Sequence, residues 1–218
     1  GDLTETRGAL ASCSDGTTGI WAGGEGSAGN SNVIDYVTIS TLANATDFGN
    51  TSHTRTRLAG CADSTRGVFG GGHDGSYINP IDYITIATTG NATDFGDLSE
   101  VKSMLASTSD ATRGLWGGGY TGSTRTNVID YVTISTTSNA TDFGDLTVGR
   151  QWVAGCSSGS RGLIGGGDIG SAVYTNVIEY ITISTLGNGT DFGDSTLAAR
   201  DKGACSDGSR GVFTGGGT

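Results

Sequence analysis

The sequence predicts an all-β protein made of one unit of roughly 48 residues repeated about four and a half times. Three observations carry this. The segment NVIDYVTIS from Asn32 returns as NPIDYITIA from Asn79, NVIDYVTIS from Asn127 and NVIEYITIS from Asn176. Forty glycines against one proline, with abundant Thr and Ser, suit short strands joined by tight turns. Helical periodicity is weak throughout, and no apolar run approaches the roughly 20 residues of a membrane-spanning helix.

The spacing inside the unit is constant. Asp47, Asp94, Asp142 and Asp191 each lie twelve positions after Asp35, Asp82, Asp130 and Glu179. Fourteen positions further on stand Cys61, Thr108, Cys156 and Cys205, with Cys13 as a fifth copy near the start. Eleven positions later comes the end of a glycine cluster, at Gly24, Gly72, Gly119, Gly167 and Gly216. Only the link to the next Asn varies, spanning 8, 7, 8 and 9 positions. Every insertion or deletion therefore falls in one loop.

Each unit offers four strands in order. The first is the small-residue stretch around each Cys, such as LAGCADS (Leu58 to Ser64), suited to a crowded innermost position. The second is RGVFGGG (Arg66 to Gly72) and its equivalents. The third, VIDYVTIS, is almost continuously apolar, as expected of a strand covered on both faces. The fourth is a shorter piece around DFGDL.

The order of a basic residue (Arg7, Arg55, Lys102, Arg150), a small strand, a strand closed by a glycine pair, a loop, a VIEYITI strand and an aromatic outer strand resembles the kelch repeat. The last copy departs from the pattern, with Ala199 in the basic slot and Arg200 one later. The outer strands carry Phe48, Phe95, Phe143 and Phe192 where kelch repeats usually have Trp. The resemblance implies a β-propeller of four-stranded antiparallel blades in one domain over residues 1–218. Its units run approximately 1–48, 49–95, 96–143, 144–192 and 193–218. Five copies of the first two strands and four of the last two lead us to expect about five blades closing through their inner strands. The last blade lacks its outer strands, to be completed by flanking sequence or another chain.

The wording IDYVTIST…NATDFGDLT is also similar to repeats of marine bacteriophage tail or virion-surface proteins. That resemblance implies a virion or extracellular structural module that contacts a host-surface glycan or protein, or another virion protein, without enzymatic activity. The alternative is a lectin-like propeller with several equivalent carbohydrate sites.

Charge and chemistry narrow the function. A net charge of −10 opposes binding to phosphate backbones, so no nucleic-acid partner is expected. Cys13, Cys61, Cys156 and Cys205 occupy one repeat slot, which places them on different blades as free thiols and predicts no disulfide. His53 and His73, the only histidines, form no ligand-spaced cluster, so no metal site, cofactor or catalytic residue is expected. The repeated acids fit structural hydrogen bonds to turn backbone better than Ca²⁺ ligation. Arg66, Arg113, Arg161 and Arg210 are expected to pair across a hairpin with acids such as Asp63, Asp110 and Asp207. Asn44, Asn91, Asn139 and Asn188 match a glycosylation pattern, but their repetition at one turn is accounted for without glycans. The variable loop carries the candidate binding residues Glu25, His73, Asp74, Tyr77, Tyr120, Arg125, Asp168 and Tyr174, all expected on one rim of the scaffold.

Overall fold

A computed structural model describes residues 1–218. It contains strands and no helix. Four four-stranded antiparallel sheets follow one another along the chain. Sheet 1 comprises Ala11–Ser14, Thr18–Ala22, Val33–Thr38 and Thr46–Asn50. Sheet 2 comprises Ala59–Ala62, Arg66–Gly70, Pro80–Thr85 and Thr93–Asp97. Sheet 3 comprises Ala106–Ser109, Arg113–Gly117, Val128–Thr133 and Thr141–Asp145. Sheet 4 comprises Ala154–Ser157, Arg161–Gly165, Val177–Thr182 and Thr190–Asp194. A final hairpin joins Gly203–Ser206 to Gly211–Thr214. Within each sheet the strands pair in chain order, so each is a simple meander.

The sheets are held together face to face. One apolar cluster joins sheets 1 and 2, with Ile20, Ile34 and Phe48 against Phe69, Ile84 and Ile86. A second joins sheets 2 and 3, with Val68, Ile81 and Phe95 against Trp116, Val132 and Ile134. The third joins sheets 3 and 4, with Leu115, Ile129 and Phe143 against Ile164, Ile181 and Ile183. A fully buried side chain of this size contributes about 1.5–3 kcal/mol, so these repeated clusters carry most of the hydrophobic stabilisation. A bulge places each outer-strand Phe. The register shifts between Ile34 and Asp35, and at the same point in the other three sheets, leaving the Phe as the extra residue. The ring of Phe48, Phe95 or Phe143 thereby turns beneath the next sheet and meets a Tyr of its own sheet edge-on.

Small residues set the distance between inner strands. A Cβ on Gly67, Gly114 or Gly211 would lie 2.8–2.9 Å from the sulfur of Cys13, Cys61 or Cys156. At Gly162 it would lie 2.5 Å from Thr108 Oγ1. Each thiol thus fills the space above a glycine of the following sheet, and the four cysteines are separate free thiols. Burial pushes the Cys13 thiol up to about 12, with Asp15 adding to the effect. The Cys61 and Cys156 thiols also move up through burial. The five inner strands line a common cavity of about 510 Å³.

The expected closure from the fifth inner strand back to the first is not made. A Cβ on Gly19, which corresponds to Gly67, would lie 3.1 Å from the Trp21 ring, with the thiol of Cys205 not among its nearest neighbours. Cys205 is exposed. Phe192, beside the two-stranded final hairpin, is 55% exposed, whereas its counterparts Phe48, Phe95 and Phe143, each covered by a four-stranded sheet, are 3% exposed.

The repeated charges build the joints between units. Arg55 Nη2 lies 2.8 Å from Asp82 Oδ2 with both side chains fully buried. Its guanidinium also donates to the carbonyls of Phe69, Gly71 and Pro80. Asp82 in turn accepts the N–H and Oγ–H of Ser52, at the tail of the preceding sheet. The same latch recurs as Arg7–Asp35 with Thr4, Lys102–Asp130, and Arg150–Glu179 with Thr147. Burial pulls the Arg55 and Arg150 guanidinium groups below their usual range, and the partner carboxylates oppose that shift.

Two other repeated sets have distinct places. Asp47, Asp94, Asp142 and Asp191 accept the N–H of the glycine two residues on. Asn91, Asn139 and Asn188 use Oδ1 to accept the N–H of Asn50, Asp97 and Asp145, the last residue of the preceding sheet's outer strand, and Asn44 accepts that of Asp2.

The expectation for the second arginine set needs correction. The carboxylates of Asp63, Asp110 and Asp207 accept backbone N–H groups at the hairpin turn, including those of Arg66, Arg113 and Arg210, and not their guanidinium groups. Arg66, Arg113 and Arg161 instead lie over Tyr83, Tyr131 and Tyr180 at 4.7, 5.1 and 4.6 Å. A short turn satisfies its own Asp, and the long arginine side chain reaches across to the flat ring on the third strand.

Candidate functional site

One face of the stack carries two kinds of connection: the loop between second and third strands, and the linker from each outer strand to the next inner strand. Backbone bridges tie them together at Thr56 and His73, Ser103 and Tyr120, Gln151 and Asp168, and Arg200 and Gly217. This is the upper face. The hairpin turns around Asp15, Asp63 and Asp110 lie at the opposite end of the strands.

The eight loop residues named from the sequence do come to this face, where they largely contact one another. His73 meets Tyr77 edge-on at 5.0 Å, and Tyr77 meets Tyr120 at 5.4 Å. Arg125 lies 5.9 Å from the Tyr120 ring and places Nη2 3.2 Å from Asp168 Oδ2. Tyr174 sits under Arg200 at 5.6 Å, and Glu25 approaches Arg57 at 3.8 Å. Asp74 accepts the N–H of Ser76 within its own loop. Asp168 is buried rather than exposed, since Arg125, Gln151 and the Gly170 N–H converge on it. Burial pushes its carboxyl up, but those hydrogen bonds outweigh burial and the net shift is downward. The variable loops are thus a ladder of inter-unit contacts as well as a surface.

The same face holds a second set of residues that sequence reasoning did not single out. Ala9, Arg57, Met104, Trp152 and Asp201 occupy one repeat position, four residues before each Cys slot. All five adopt left-handed backbone, with φ of 52, 60, 59, 57 and 56°. They form a hydrogen-bonded chain in which the N–H of Arg57, Met104, Trp152 and Asp201 donates to the carbonyl of the preceding member. Together with Leu10, Leu58, Leu105, Val153 and Lys202 they line a cleft of about 210 Å³.

A non-glycine residue in this conformation costs about 1–2 kcal/mol relative to ordinary backbone. Glycine would relieve that cost, and the chain uses glycine freely elsewhere, yet none of the five copies has it. The five side chains also all differ, although the frame around them is nearly identical. Arg57 lies 5.3 Å from the Trp152 ring, and its Nε is buried without a partner. Burial pushes the Asp201 carboxyl up, with Arg200 and Arg57 opposing the shift. The cleft therefore presents an aromatic face, a guanidinium with a spare donor, a thioether and a carboxylate. The sequence signal was available: it lies in one of two adjacent positions inside the constant frame where the copies disagree completely, the other holding Gly8, Thr56, Ser103, Gln151 and Arg200.

No group of three or more His, Cys, Asp or Glu side chains is positioned to hold a metal ion. Fold and site together define an all-β repeat protein with an asymmetric cleft on a nearly symmetric scaffold. No known family matches the chain, and no curated protein is found similar to it.

Proposed function

We propose that the chain is a non-enzymatic binding module of β-propeller type, with about five blades, that presents its upper face to a partner. The observation that carries this reading is the left-handed slot holding Ala9, Arg57, Met104, Trp152 and Asp201. Backbone strain retained in every unit, combined with five different side chains, is what a recognition site on a repeated scaffold requires. The four-stranded meanders, with small residues innermost and thiol-on-glycine contacts between consecutive units, support the propeller reading. The similarity of the repeat to marine phage virion proteins points to a host-surface glycan or another virion protein as the partner. A virion or extracellular location goes with that similarity.

The lectin-like alternative with several equivalent sites is less well supported, because the slot offers a different side chain in every unit. A glycan array probed with the full chain, followed by titration calorimetry on any hit, separates the two. One site per chain that is lost in Trp152→Ala and Arg57→Ala supports the upper-face cleft. Four or five equal sites favour the alternative. Binding unchanged in both variants overturns the cleft as the site.

A further inference from the structure

The cation–acid joint of sheet 3 differs from its siblings in two ways. Lys102 stands where Arg7, Arg55 and Arg150 stand in the other units. A guanidinium stays charged, whereas an ammonium that gives up a proton becomes a nucleophilic amine. The partner acid is also uncapped. Asp35, Asp82 and Glu179 each accept an N–H and a hydroxyl from Thr4, Ser52 or Thr147. Ser99, at the equivalent position, is exposed, and both oxygens of Asp130 are buried without a hydrogen-bond donor. Lys102 Nζ does lie 2.8 Å from Asp130 Oδ2, but off the direction of a hydrogen bond. A second carboxylate completes the group, with Glu100 Oε1 3.9 Å from the same nitrogen.

The surrounding fold holds these side chains in place. Lys102 and Asp130 have no exposed side-chain surface. The Lys102 backbone is pinned on both sides, its N–H donating to Ile78 O and its carbonyl accepting the N–H of Gly72. Its Nζ also donates to Val128 O at 3.2 Å. Asp130 lies on the third strand of sheet 3, paired with Trp116 on one neighbour and Asp142 on the other. Buried Thr126 donates its hydroxyl to Glu100 Oε1 and so orients it. One C–O bond added to the 2.8 Å contact puts Nζ within about 4 Å of the Asp130 carboxyl carbon. That approaches the roughly 3–3.5 Å separation of reacting atoms poised for attack.

We propose that Lys102 and Asp130 join in an intramolecular isopeptide bond. The ammonium passes one proton to the Asp130 carboxylate, giving an amine beside a carboxylic acid, an exchange that a site shut off from water favours over separate charges. Nζ then attacks Cγ. The nitrogen loses a second proton, which Glu100 takes and returns to the departing Asp130 oxygen. The Nζ–Cγ bond forms, one Cγ–O bond breaks and water leaves. An ammonium and a carboxylate become an amide and one water, with no change of oxidation state. Well-oriented groups reach effective molarities of about 10⁵–10⁸ M, far above the concentration of water that drives the reverse reaction. The bond ties the linker entering sheet 3 to that sheet's third strand. Arginine in the sibling slots cannot follow this course, which confines the cross-link to one unit. The inference does not depend on what binds the upper face.

The test is the intact mass of the purified full chain under denaturing conditions, followed by tryptic mapping. The chain should be lighter than its sequence by one water. Trypsin should leave Lys102 uncut and yield a branched peptide joining residues 67–113 to residues 126–150. Lys102→Arg, which copies the sibling units and keeps the ion pair, should show the full mass. Glu100→Gln should leave most of the chain at full mass after the same time, since general acid–base help is worth about 10²–10⁴-fold in rate. A chain of full mass that melts cooperatively, and is therefore folded, overturns the proposal. So does a water loss that persists in Lys102→Arg, or one that maps to an Asp–Gly step such as Asp74–Gly75, where a succinimide accounts for it. Undiminished water loss in Glu100→Gln overturns the part given to Glu100.

Discussion

Arg55→Met tests the physical reading of the repeat most sharply, because it removes the charge while keeping much of the side-chain volume. Asp82 would remain at zero exposure with only Ser52 to satisfy it, and the carbonyls of Phe69, Gly71 and Pro80 would lose their donor. Leaving one partner of a buried ion pair unpaired costs about 3–5 kcal/mol. For a chain of this length each kcal/mol moves the melting midpoint by about 2–4 °C, so a fall of about 6–20 °C is expected. Thermal melts followed by tryptophan fluorescence read this directly, since Trp116 lies in the junction between sheets 2 and 3. The double variant Arg55→Met with Asp82→Leu should recover part of the loss, because it removes the stranded carboxylate. Full recovery is not expected while three carbonyls stay unbonded. The control is Arg66→Met, which gives up a guanidinium over Tyr83 and one carbonyl contact at a half-buried site. It should cost about 1 kcal/mol. A loss below about 1 kcal/mol for Arg55→Met, or equal losses for the two arginines, would refute the latch.

Three other outcomes follow from the same geometry. Alkylation at pH 8 should label Cys205 first, since Cys13, held at about 12, presents only about one thiolate in ten thousand; mass spectrometry showing equal labelling of all four thiols would contradict the packing. A thiol whose folded value lies above its unfolded value of about 9 stabilises the fold below pH 9 and loses that contribution as pH rises toward 12. The melting midpoint should therefore be flat from pH 7 to 9 and fall above it, and a rise over that upper range would contradict the burial of Cys13 and Cys61. Gly70→Ala, whose Cβ would lie 2.9 Å from the Trp116 ring, should cost about 1–3 kcal/mol. Gly187→Ala meets nothing within 4 Å and should be neutral, so comparable melts for the two would refute the close approach at sheet 3.

The strand content was legible because the periodic spacing isolates each strand between glycine turns. All four strand types appear within the stretches the sequence marks, and the glycine pair after each second strand forms the turn, as at Gly71 and Gly72 with φ of 69 and 120°. The cation–acid latch was not legible. Its partners are 27 to 29 residues apart and become neighbours only when the linker folds back along its own sheet, as for Arg55 with Asp82 and Arg150 with Glu179. The role of Arg66 was misassigned for a related reason: the nearby Asp63 is already saturated by backbone at the turn.

The variable loops lie on one face, and what the sequence did not show is that their residues contact one another, as Asp168 and Arg125 do. Length variation drew attention to that loop. It drew attention away from Arg57 and Trp152, which vary in identity while the spacing around them stays constant. Backbone φ, invisible in sequence, is what marks that slot as unusual.

The most direct test of the central claim is a hydrogen-exchange map of the full chain with and without a glycan or virion protein selected by binding. The account predicts slowed exchange in the upper-face linkers at residues 55–58, 102–105, 150–153 and 199–202, with the turns around Asp15, Asp63 and Asp110 unchanged. Protection confined to those lower turns or to the outer strands, with the upper linkers unaffected, would contradict it.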